Sequence, residues 1–319
     1  MPYFFCQGKR CFYTCSGVGP PLLFLHGNTA SSQMFQFLLP FYTPCFHCIL
    51  LDFLGSGRSQ RMPELPPQLW IDQGRQAAAL IRHLGLGPVF LVGTSGGAWA
   101  ALNAGLEHPD LVRGIVADSF DGRTLHRGFD RELLEERAAA KASHQARQFY
   151  QWCQGADWEE VVDRDTRSLV RCAREGLPLF SRPLEELQAP LLLMGSREDV
   201  MCRKDLEAEY QHILEILPQA RMCLFDHGAH PALASNGLAA ADAVRDRPTR
   251  WSRGAWGGGC SCAATARPTW PTRRCSPRGW PCARRSRRSS SCASCWDSKE
   301  TDGSNGPQRA VGKGDRRHT

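Results

Sequence analysis

A serine at position 95 lies in a pattern that is typical of nucleophilic catalysis. Residues 93–97 read Gly-Thr-Ser-Gly-Gly and fit G-x-S-x-G. An apolar run, 88–92, precedes them, and an alanine-rich helical stretch, 98–106, follows. A tight turn from a strand into a helix exposes the serine oxygen, and flanking glycines let neighbouring backbone approach closely. A glycine-rich turn with an incidental serine is the plainer interpretation, and the flanking strand and helix favour the catalytic one.

Candidate acid and base residues follow later in the chain. Glu198 and Asp199 form an acidic pair after the apolar run 190–194 and a glycine turn. His227 and His230 follow the next apolar run, 221–225, and His230 stands in a G-x-H-P segment. A nucleophilic serine needs a base to take its proton and an acid to orient that base. The order serine, acid, histidine is the one expected when the serine lies on a strand-to-helix turn.

The chain around these residues alternates between strand and helix signals. A hairpin is predicted around residues 8 and 9, and a helix that ends at Gly85 is predicted over 71–84. Further strands are predicted at 21–25, 46–53, 88–92, 111–117, 190–194 and 221–225, with helices at 98–106 and 206–217. This alternation predicts an α/β fold: a mostly parallel, twisted sheet of about eight strands flanked by helices.

A long insertion interrupts the alternation at residues 121–188. It is charged, with helical stretches predicted at 132–142, 158–163 and 169–175. A connection this long in a compact α/β domain usually has a function, often to cover a site. We therefore expect a helical cap.

These motifs together resemble the α/β-hydrolase superfamily over about residues 10–236, in the form of a serine hydrolase with a helical cap. The segment His26-Gly27-Asn28 after the first apolar strand resembles the oxyanion loop of that superfamily. The resemblance implies that the backbone N–H groups of Asn28 and Gly96 hold the oxyanion. Residues 52–59 resemble its D-x-x-G-x-G-x-S segment, which shapes a turn.

The resemblance also implies a catalytic triad of Ser95, Asp199 and His230. Asp199 is preferred to Glu198, the alternative acid, because the superfamily usually has an aspartate followed by a small or apolar residue. Some members place the acid after an earlier strand, so Asp118 and Asp121 are further candidates. The alternative interpretation of His227 is a solvated turn residue.

The function implied by the resemblance is hydrolysis of a carboxylic ester or related acyl bond of a small molecule through an acyl-enzyme, with no cofactor and no metal. A C–C bond hydrolase or a thioesterase would use the same triad, and the fold also serves catalytically impaired binding proteins. A haloalkane dehalogenase needs a carboxylate nucleophile, and position 95 is serine.

The C-terminal part of the chain has a different composition. Residues 237–319 carry 17 Lys and Arg against 6 Asp and Glu, so the net charge of +7 arises there. From residue 251 onward Val311 is the only branched aliphatic residue. Such a segment buries too little apolar surface to fold, so we expect 237–319 to be a basic, disordered tail. The abrupt change also suggests an out-of-frame gene end that lacks the usual final helix.

Composition excludes several classes of protein. The basic residues of the tail have no folded face to present, so no nucleic-acid partner is expected. No apolar run is long enough for a transmembrane helix, and the N-terminus has no signal-peptide pattern. The 15 cysteines are scattered, which favours reduced thiols, and we expect a cytoplasmic protein. The sequence leaves the oligomeric state open.

Overall fold

The computed structural model describes residues 2–245, in which eight strands form one sheet. The strands are β1 (Tyr3–Cys6), β2 (Lys9–Ser16), β3 (Pro21–Leu25), β4 (His47–Leu51), β5 (Val89–Thr94), β6 (Val112–Asp118), β7 (Leu191–Ser196) and β8 (Ala220–Phe225). Their order is β1-β2-β4-β3-β5-β6-β7-β8. The β1–β2 and β2–β4 pairs are antiparallel, and every other pair is parallel. The predicted fold class is confirmed.

Helices cover both faces of this sheet. They are α1 (Leu39–Tyr42), α2 (Leu69–Leu84), α3 (Gly96–Glu107), α4 (Phe129–Ala142), α5 (His144–Gln154), α6 (Trp158–Arg174), α7 (Leu206–Ile216), α8 (Ala232–Ser235) and α9 (Gly237–Arg245). None of the helices within residues 2–245 is both long and apolar enough to cross a membrane.

The central strands are apolar along their whole length because both faces of the sheet are buried there. In β3, Leu23 and Leu25 pack in one core cluster, whereas Leu22 and Phe24 pack in the cluster on the opposite face. Successive side chains of a strand point to opposite faces, so a strand buried on both sides has no polar alternation. The polar residues therefore gather at the strand ends, where the candidate site lies.

The insertion between β6 and β7 contains α4, α5 and α6, which pack against one another. The predicted stretches 158–163 and 169–175 belong to one continuous helix, α6, and α5 was not predicted. The break was wrongly predicted because Asp165, Thr166 and Ser168 interrupt the apolar period, although all three are buried. Their face of α6 meets polar groups rather than an apolar core.

The structure differs from the sequence-based expectation after residue 236. A helix was expected to be missing there, yet α9 runs over nine residues, Gly237–Arg245. Its residues Ala240, Ala241 and Val244 join the core cluster that contains Tyr42. Alanine has the highest helix propensity, and its small side chain fits closely against the core. The remainder of the predicted disordered tail, 246–319, lies outside the described residues.

Candidate active site

Ser95 forms the turn between β5 and α3, and its backbone is strained. Its φ of 54° and ψ of −123° lie in a region that non-glycine residues rarely adopt. The Ser95 N–H donates to the Asp118 carbonyl at 2.8 Å, and its carbonyl accepts from the Ala98 N–H at 2.9 Å. Ser95 is partly exposed, whereas Thr94 and Gly96 on either side are buried. This conformation presents a serine hydroxyl at the end of a buried strand.

Close backbone contacts explain the glycines around Ser95. A Cβ on Gly93 would lie 2.1 Å from the Gly97 carbonyl oxygen, and a Cβ on Gly97 would lie 2.2 Å from the Leu25 carbonyl oxygen. Both distances are far inside van der Waals contact, so any side chain here would push α3 away from the sheet. The glycines of the G-x-S-x-G pattern therefore have a steric role.

Asp199 and His230 form a hydrogen-bonded pair at the same edge of the sheet. Asp199 follows β7 and His230 follows β8, and Nδ1 of His230 lies 2.8 Å from Oδ2 of Asp199. The Asp199 side chain is fully buried, and that of His230 is 14% exposed. Since the carboxylate accepts, Nδ1 carries the proton and Nε2 is left to accept another. This is the tautomer that a general base beside a serine requires.

Two opposing effects act on the Asp199 carboxyl group. Burial disfavours its ionised form, but hydrogen bonds from His230 and Ser119 and from the Met201 N–H favour it. The Ser119 hydroxyl lies 3.0 Å from Oδ2, and the Met201 N–H lies 3.0 Å from Oδ1. The bonds outweigh burial and hold the pKa of Asp199 below its usual value. Asp199 is thus an ionised partner for the imidazole.

The other candidate acids bind elsewhere. Glu198 pairs with His227 at 2.9 Å on the surface, where the two side chains are 58% and 84% exposed. Asp118 accepts from Thr94 Oγ1 at 3.1 Å and from the Leu233 N–H at 2.9 Å, and burial raises its pKa to about 7.

Asp121, the last candidate acid, accepts from the Arg203 N–H at 2.5 Å. Within residues 2–245, neither it nor Glu198 nor Asp118 hydrogen-bonds to His230. The geometry therefore favours Asp199 as the acid that orients His230.

Ser119 and Cys202 belong to the site although sequence reasoning missed them. Ser119 donates to Asp199 and accepts from the Ala232 N–H at 2.9 Å, so one hydroxyl joins the ends of β6, β7 and the histidine loop. Cys202 Sγ lies 3.4 Å from Asp199 Oδ2 and 4.0 Å from His230 Nδ1. No motif in the sequence marks either residue.

Ser95 shares this sheet edge with the acid–base pair. The strands β5, β6, β7 and β8 are parallel neighbours, so their carboxyl ends meet there. Among residues 2–245, the Ser95 hydroxyl makes no hydrogen bond, including none to His230. The structure therefore joins two of the three predicted triad residues directly.

The predicted oxyanion donors lie beside Ser95. The position of a Cβ on Gly27 would be 3.0 Å from Ser95 Cβ and 3.6 Å from its Oγ, so the loop 26–28 runs against the serine. In the described part of the chain, the backbone N–H groups of Asn28 and Gly96 donate to no protein acceptor. Two free N–H groups beside a serine can receive an oxyanion.

The side chain of Asn28 is held from two sides. Its Nδ2 donates to Asp165 of α6 at 2.7 Å, and its Oδ1 accepts from Trp70 Nε1 at 3.1 Å. A Cβ on Gly96 would lie 2.0 Å from that Oδ1, so the amide lies directly over the start of α3. Asn28 thereby links the insertion to the candidate oxyanion donors.

More hydrogen bonds join the insertion to this loop. Gln154 Nε2, at the end of α5, donates to the carbonyls of Thr29 at 3.0 Å and Ala30 at 2.7 Å. The Ser31 hydroxyl donates to the Cys153 carbonyl at 2.8 Å. The insertion thus fixes residues 28–31 in place.

The segment 52–59 shapes a turn, as the resemblance implied. Buried Asp52 accepts from the Ser32 N–H at 2.7 Å and from the Arg58 N–H at 2.8 Å. A Cβ on Gly57 would lie 2.2 Å from Asp52 Oδ2, and Gly57 has a φ of +53°. His26 connects this turn to the oxyanion loop, since its Nε2 accepts from the Phe53 N–H at 3.2 Å.

Parts of this chain are similar to known proteins. Residues 20–157 match the family described as alpha/beta hydrolase fold. A haloalkane dehalogenase of Bradyrhizobium diazoefficiens is 35% identical over 101 residues, 32% of this chain and 32% of that protein. A 2-(acetamidomethylene)succinate hydrolase of Mesorhizobium japonicum is 39% identical over 104 residues, 33% of this chain and 37% of that protein. The chain thus spans about a third of the length of these relatives.

A solved structure extends the similarity to most of the fold. A thermophilic esterase from Thermogutta terrifontis superposes with a TM-score of 0.62 at 19% identity, over 78% of this chain and 97% of that one. At that identity the likeness concerns the fold alone. Together with the match of residues 20–157, it shows that this chain has the α/β-hydrolase fold.

Proposed function

We propose that the chain is a serine hydrolase that cleaves a carboxylic ester or related acyl bond of a small molecule. The conformation of Ser95 carries the proposal. A partly exposed serine held at a φ of 54° costs folding energy, and such strain is typical of functional residues. The Asp199–His230 pair at the same sheet edge supplies the acid and base that a serine nucleophile needs.

In the proposed mechanism, Ser95 attacks the acyl carbonyl while Nε2 of His230 takes its proton. Asp199 fixes the tautomer of the imidazole and stabilises the imidazolium. The N–H groups of Asn28 and Gly96 hold the oxyanion, and loss of one such donor typically costs about 10²–10³-fold in rate. The alcohol leaves with the proton from His230, and a water activated by His230 then releases the acid.

The absence of a hydrogen bond between Ser95 and His230 is compatible with this mechanism. Catalytic hydrogen bonds are often long or poorly aligned without substrate and tighten only in the Michaelis complex. Relatives named as haloalkane dehalogenases share sequence with this chain, but that chemistry needs a carboxylate nucleophile, and position 95 is serine.

A fluorophosphonate probe tests the proposal. It should label the full chain on Ser95, and Ser95→Ala should not be labelled. Ser56→Ala is a matched control, because Ser56 also lies in a glycine-rich turn and is not part of the proposed triad. Equal labelling of wild type and Ser95→Ala would contradict the proposal.

A substrate screen then refines the class of bond. p-Nitrophenyl esters of increasing chain length should be cleaved by wild type and not by Ser95→Ala. Cleavage of thioesters or of C–C bonds in place of esters would retain the triad and replace the ester assignment. Labelling without turnover of any substrate would favour a binding protein that has kept a reactive serine.

A further inference from the structure

We propose that Asp199, Cys202 and His230 bind a thiophilic divalent metal ion such as Zn²⁺, and that the bound ion inactivates the acid–base pair. These residues offer one carboxylate oxygen, one sulfur and one imidazole nitrogen, and the three atoms lie within 4.8 Å of one another. Carboxylate, thiolate and imidazole are the ligands that zinc takes in proteins. Within residues 2–245, this is the one group of His, Cys and acidic side chains with such spacing.

The distances between the three atoms are close to those of a tetrahedral site. Zinc bonds of about 2.0–2.3 Å place neighbouring ligand atoms roughly 3.4–3.6 Å apart. The observed separations are 2.8 Å between Asp199 Oδ2 and His230 Nδ1, 3.4 Å from Cys202 Sγ to Asp199, and 4.0 Å from Cys202 Sγ to His230. Small side-chain shifts would therefore bring all three atoms to bonding distance.

The surroundings favour a cation. The carboxyl group of Asp121 lies near enough to Cys202 to interact with it electrostatically. The guanidinium of Arg203, the next residue in the chain, pairs with Asp205 at 2.8 Å and faces Glu209 at 3.7 Å. His230 is 14% exposed, whereas the Asp199 side chain is fully buried, so the ion would enter on the His230 side, and a water would be its fourth ligand.

Binding would redistribute two protons. The Cys202 thiol, which donates to Asp199 Oδ2, releases its proton to solvent as sulfur bonds to the metal. The proton on Nδ1 of His230 moves to Nε2, because the metal takes the Nδ1 lone pair. An imidazole protonated at Nε2 cannot accept the Ser95 proton. The inhibitory part of this inference rests on the proposed function, whereas the binding part does not.

Cobalt absorption tests binding without reference to activity. Thiolate-to-cobalt charge transfer absorbs in the near ultraviolet, so Co²⁺ titration of reduced full chain reports a Co–S bond. The difference spectrum between wild type and Cys202→Ala should show one such bond per chain. Cysteines beyond residue 245 are present in both proteins, so the difference cancels them. Cys172→Ser, which removes another buried thiol, should leave the spectrum of wild type unchanged.

A second variant tests the site independently, in case Cys202→Ala misfolds. Asp199→Asn keeps the thiol but removes a charged ligand, and it should weaken Co²⁺ binding at least about 10-fold, as loss of an outer partner alone typically does. Identical charge-transfer bands in wild type, Cys202→Ala and Asp199→Asn would overturn the site.

Labelling of Ser95 measures the consequence of binding. Each protein is normalised to its own rate in chelator. Because a general base typically contributes at least about 100-fold, saturating Zn²⁺ should slow fluorophosphonate labelling of wild type and Cys172→Ser by about that factor, but not that of Cys202→Ala. Slowing of all three proteins to the same degree would overturn inhibition through this site. If Ser95 is never labelled, the proposed function fails, while the cobalt titration still decides on the metal.

Discussion

The side-chain amide of Asn28 donates a 2.7 Å hydrogen bond to Asp165, which joins the candidate oxyanion loop to the helical insertion. Asp165 is buried and lies 3.8 Å from the Arg137 guanidinium, itself buried. Burial raises the pKa of Asp165, and Arg137 and Asn28 counter that effect. The position of the candidate oxyanion donors thus depends on a carboxylate more than a hundred residues away in the chain.

Asp165→Ala should therefore affect stability and reactivity together. It removes the acceptor of Asn28 and leaves Arg137 with Glu136 as its ion-pair partner. Breaking a buried ion pair typically costs about 3–5 kcal/mol of unfolding free energy. Because Arg137 keeps Glu136 as a partner, we expect a loss near the lower limit of that range. Urea denaturation should show the loss of unfolding free energy, and labelling of Ser95 should slow about 10-fold as the oxyanion loop loosens.

Asp163→Ala is the matched control for that variant. Asp163 lies on the same helix, is 48% exposed and pairs with Lys141. Exposed pairs contribute little, so the unfolding free energy should fall by less than about 1 kcal/mol. Equal effects of the two substitutions would show that Asp165 acts only as a helix residue.

The two neighbouring acids at 198 and 199 should differ sharply in function. Asp199→Asn removes the charge that orients His230 and should lower turnover by about 10³–10⁴-fold. Glu198→Gln alters an exposed pair with His227 and should change turnover less than about 3-fold, as expected for a surface ion pair. Steady-state kinetics on the ester found in the screen measures both. A large loss in Glu198→Gln with a small one in Asp199→Asn would reverse the assignment of the acid.

The fold was predictable because its central strands, such as β3 and β7, are buried on both faces. Runs such as 21–25 and 190–194 are almost wholly apolar and end in glycine or polar residues, which marks both the strand and its end. Parallel topology then places residues after β5, β7 and β8 at one edge. In the structure Asp199 and His230 are hydrogen-bonded, and the catalytic roles of Ser95, Asp199 and His230 stay predictions.

The remaining site residues were not predictable from local patterns. Asp165 interrupts the apolar period of α6 because its face meets the polar oxyanion loop, and only tertiary structure shows that loop. Ser119 has a φ of +46°, which is uncommon for serine and has no signal in the sequence. Helix α9 was missed because its few alanines and one valine are a weak signal beside the basic sequence that follows.

Ser119 should position Asp199 through its hydroxyl. Ser119→Ala removes the 3.0 Å bond to the carboxylate and leaves the buried Ala232 N–H without an acceptor, at a cost of about 1–3 kcal/mol. Turnover should fall about 10-fold with little change in KM, because the substrate contacts stay.

Ser119→Gly separates the hydroxyl from backbone strain. Glycine adopts a φ of +46° without penalty, so this variant should be more stable than Ser119→Ala yet lose a similar factor in turnover. Turnover is measured at a temperature where both variants are folded. If Ser119→Gly were fully active, the loss of turnover in Ser119→Ala would result from backbone strain and not from the lost hydroxyl.

Asp118 should make the protein less stable as the pH rises from about 4 to about 7. Burial raises its folded-state pKa from 3.8 to about 7. In that window the carboxyl is ionised in the unfolded chain but protonated in the folded one. The folded state then binds more protons, so its stability falls as pH rises, by roughly 4 kcal/mol in all, at about 1.4 kcal/mol per pKa unit. Above pH 7 both states are ionised and this contribution is constant.

Asp118→Asn should remove that dependence. An amide at this position can accept from the Leu233 N–H and donate to Thr94 Oγ1, so it preserves both contacts. Urea denaturation from pH 4 to pH 8 should therefore show that the unfolding free energy of the variant rises relative to that of wild type. The rise should be roughly 4 kcal/mol, and most of it should be complete by pH 7. Other buried carboxyls are common to both proteins and cancel in the difference. A difference that stays flat between pH 4 and pH 7, or that grows toward acid, would show that Asp118 is ionised in the folded protein throughout.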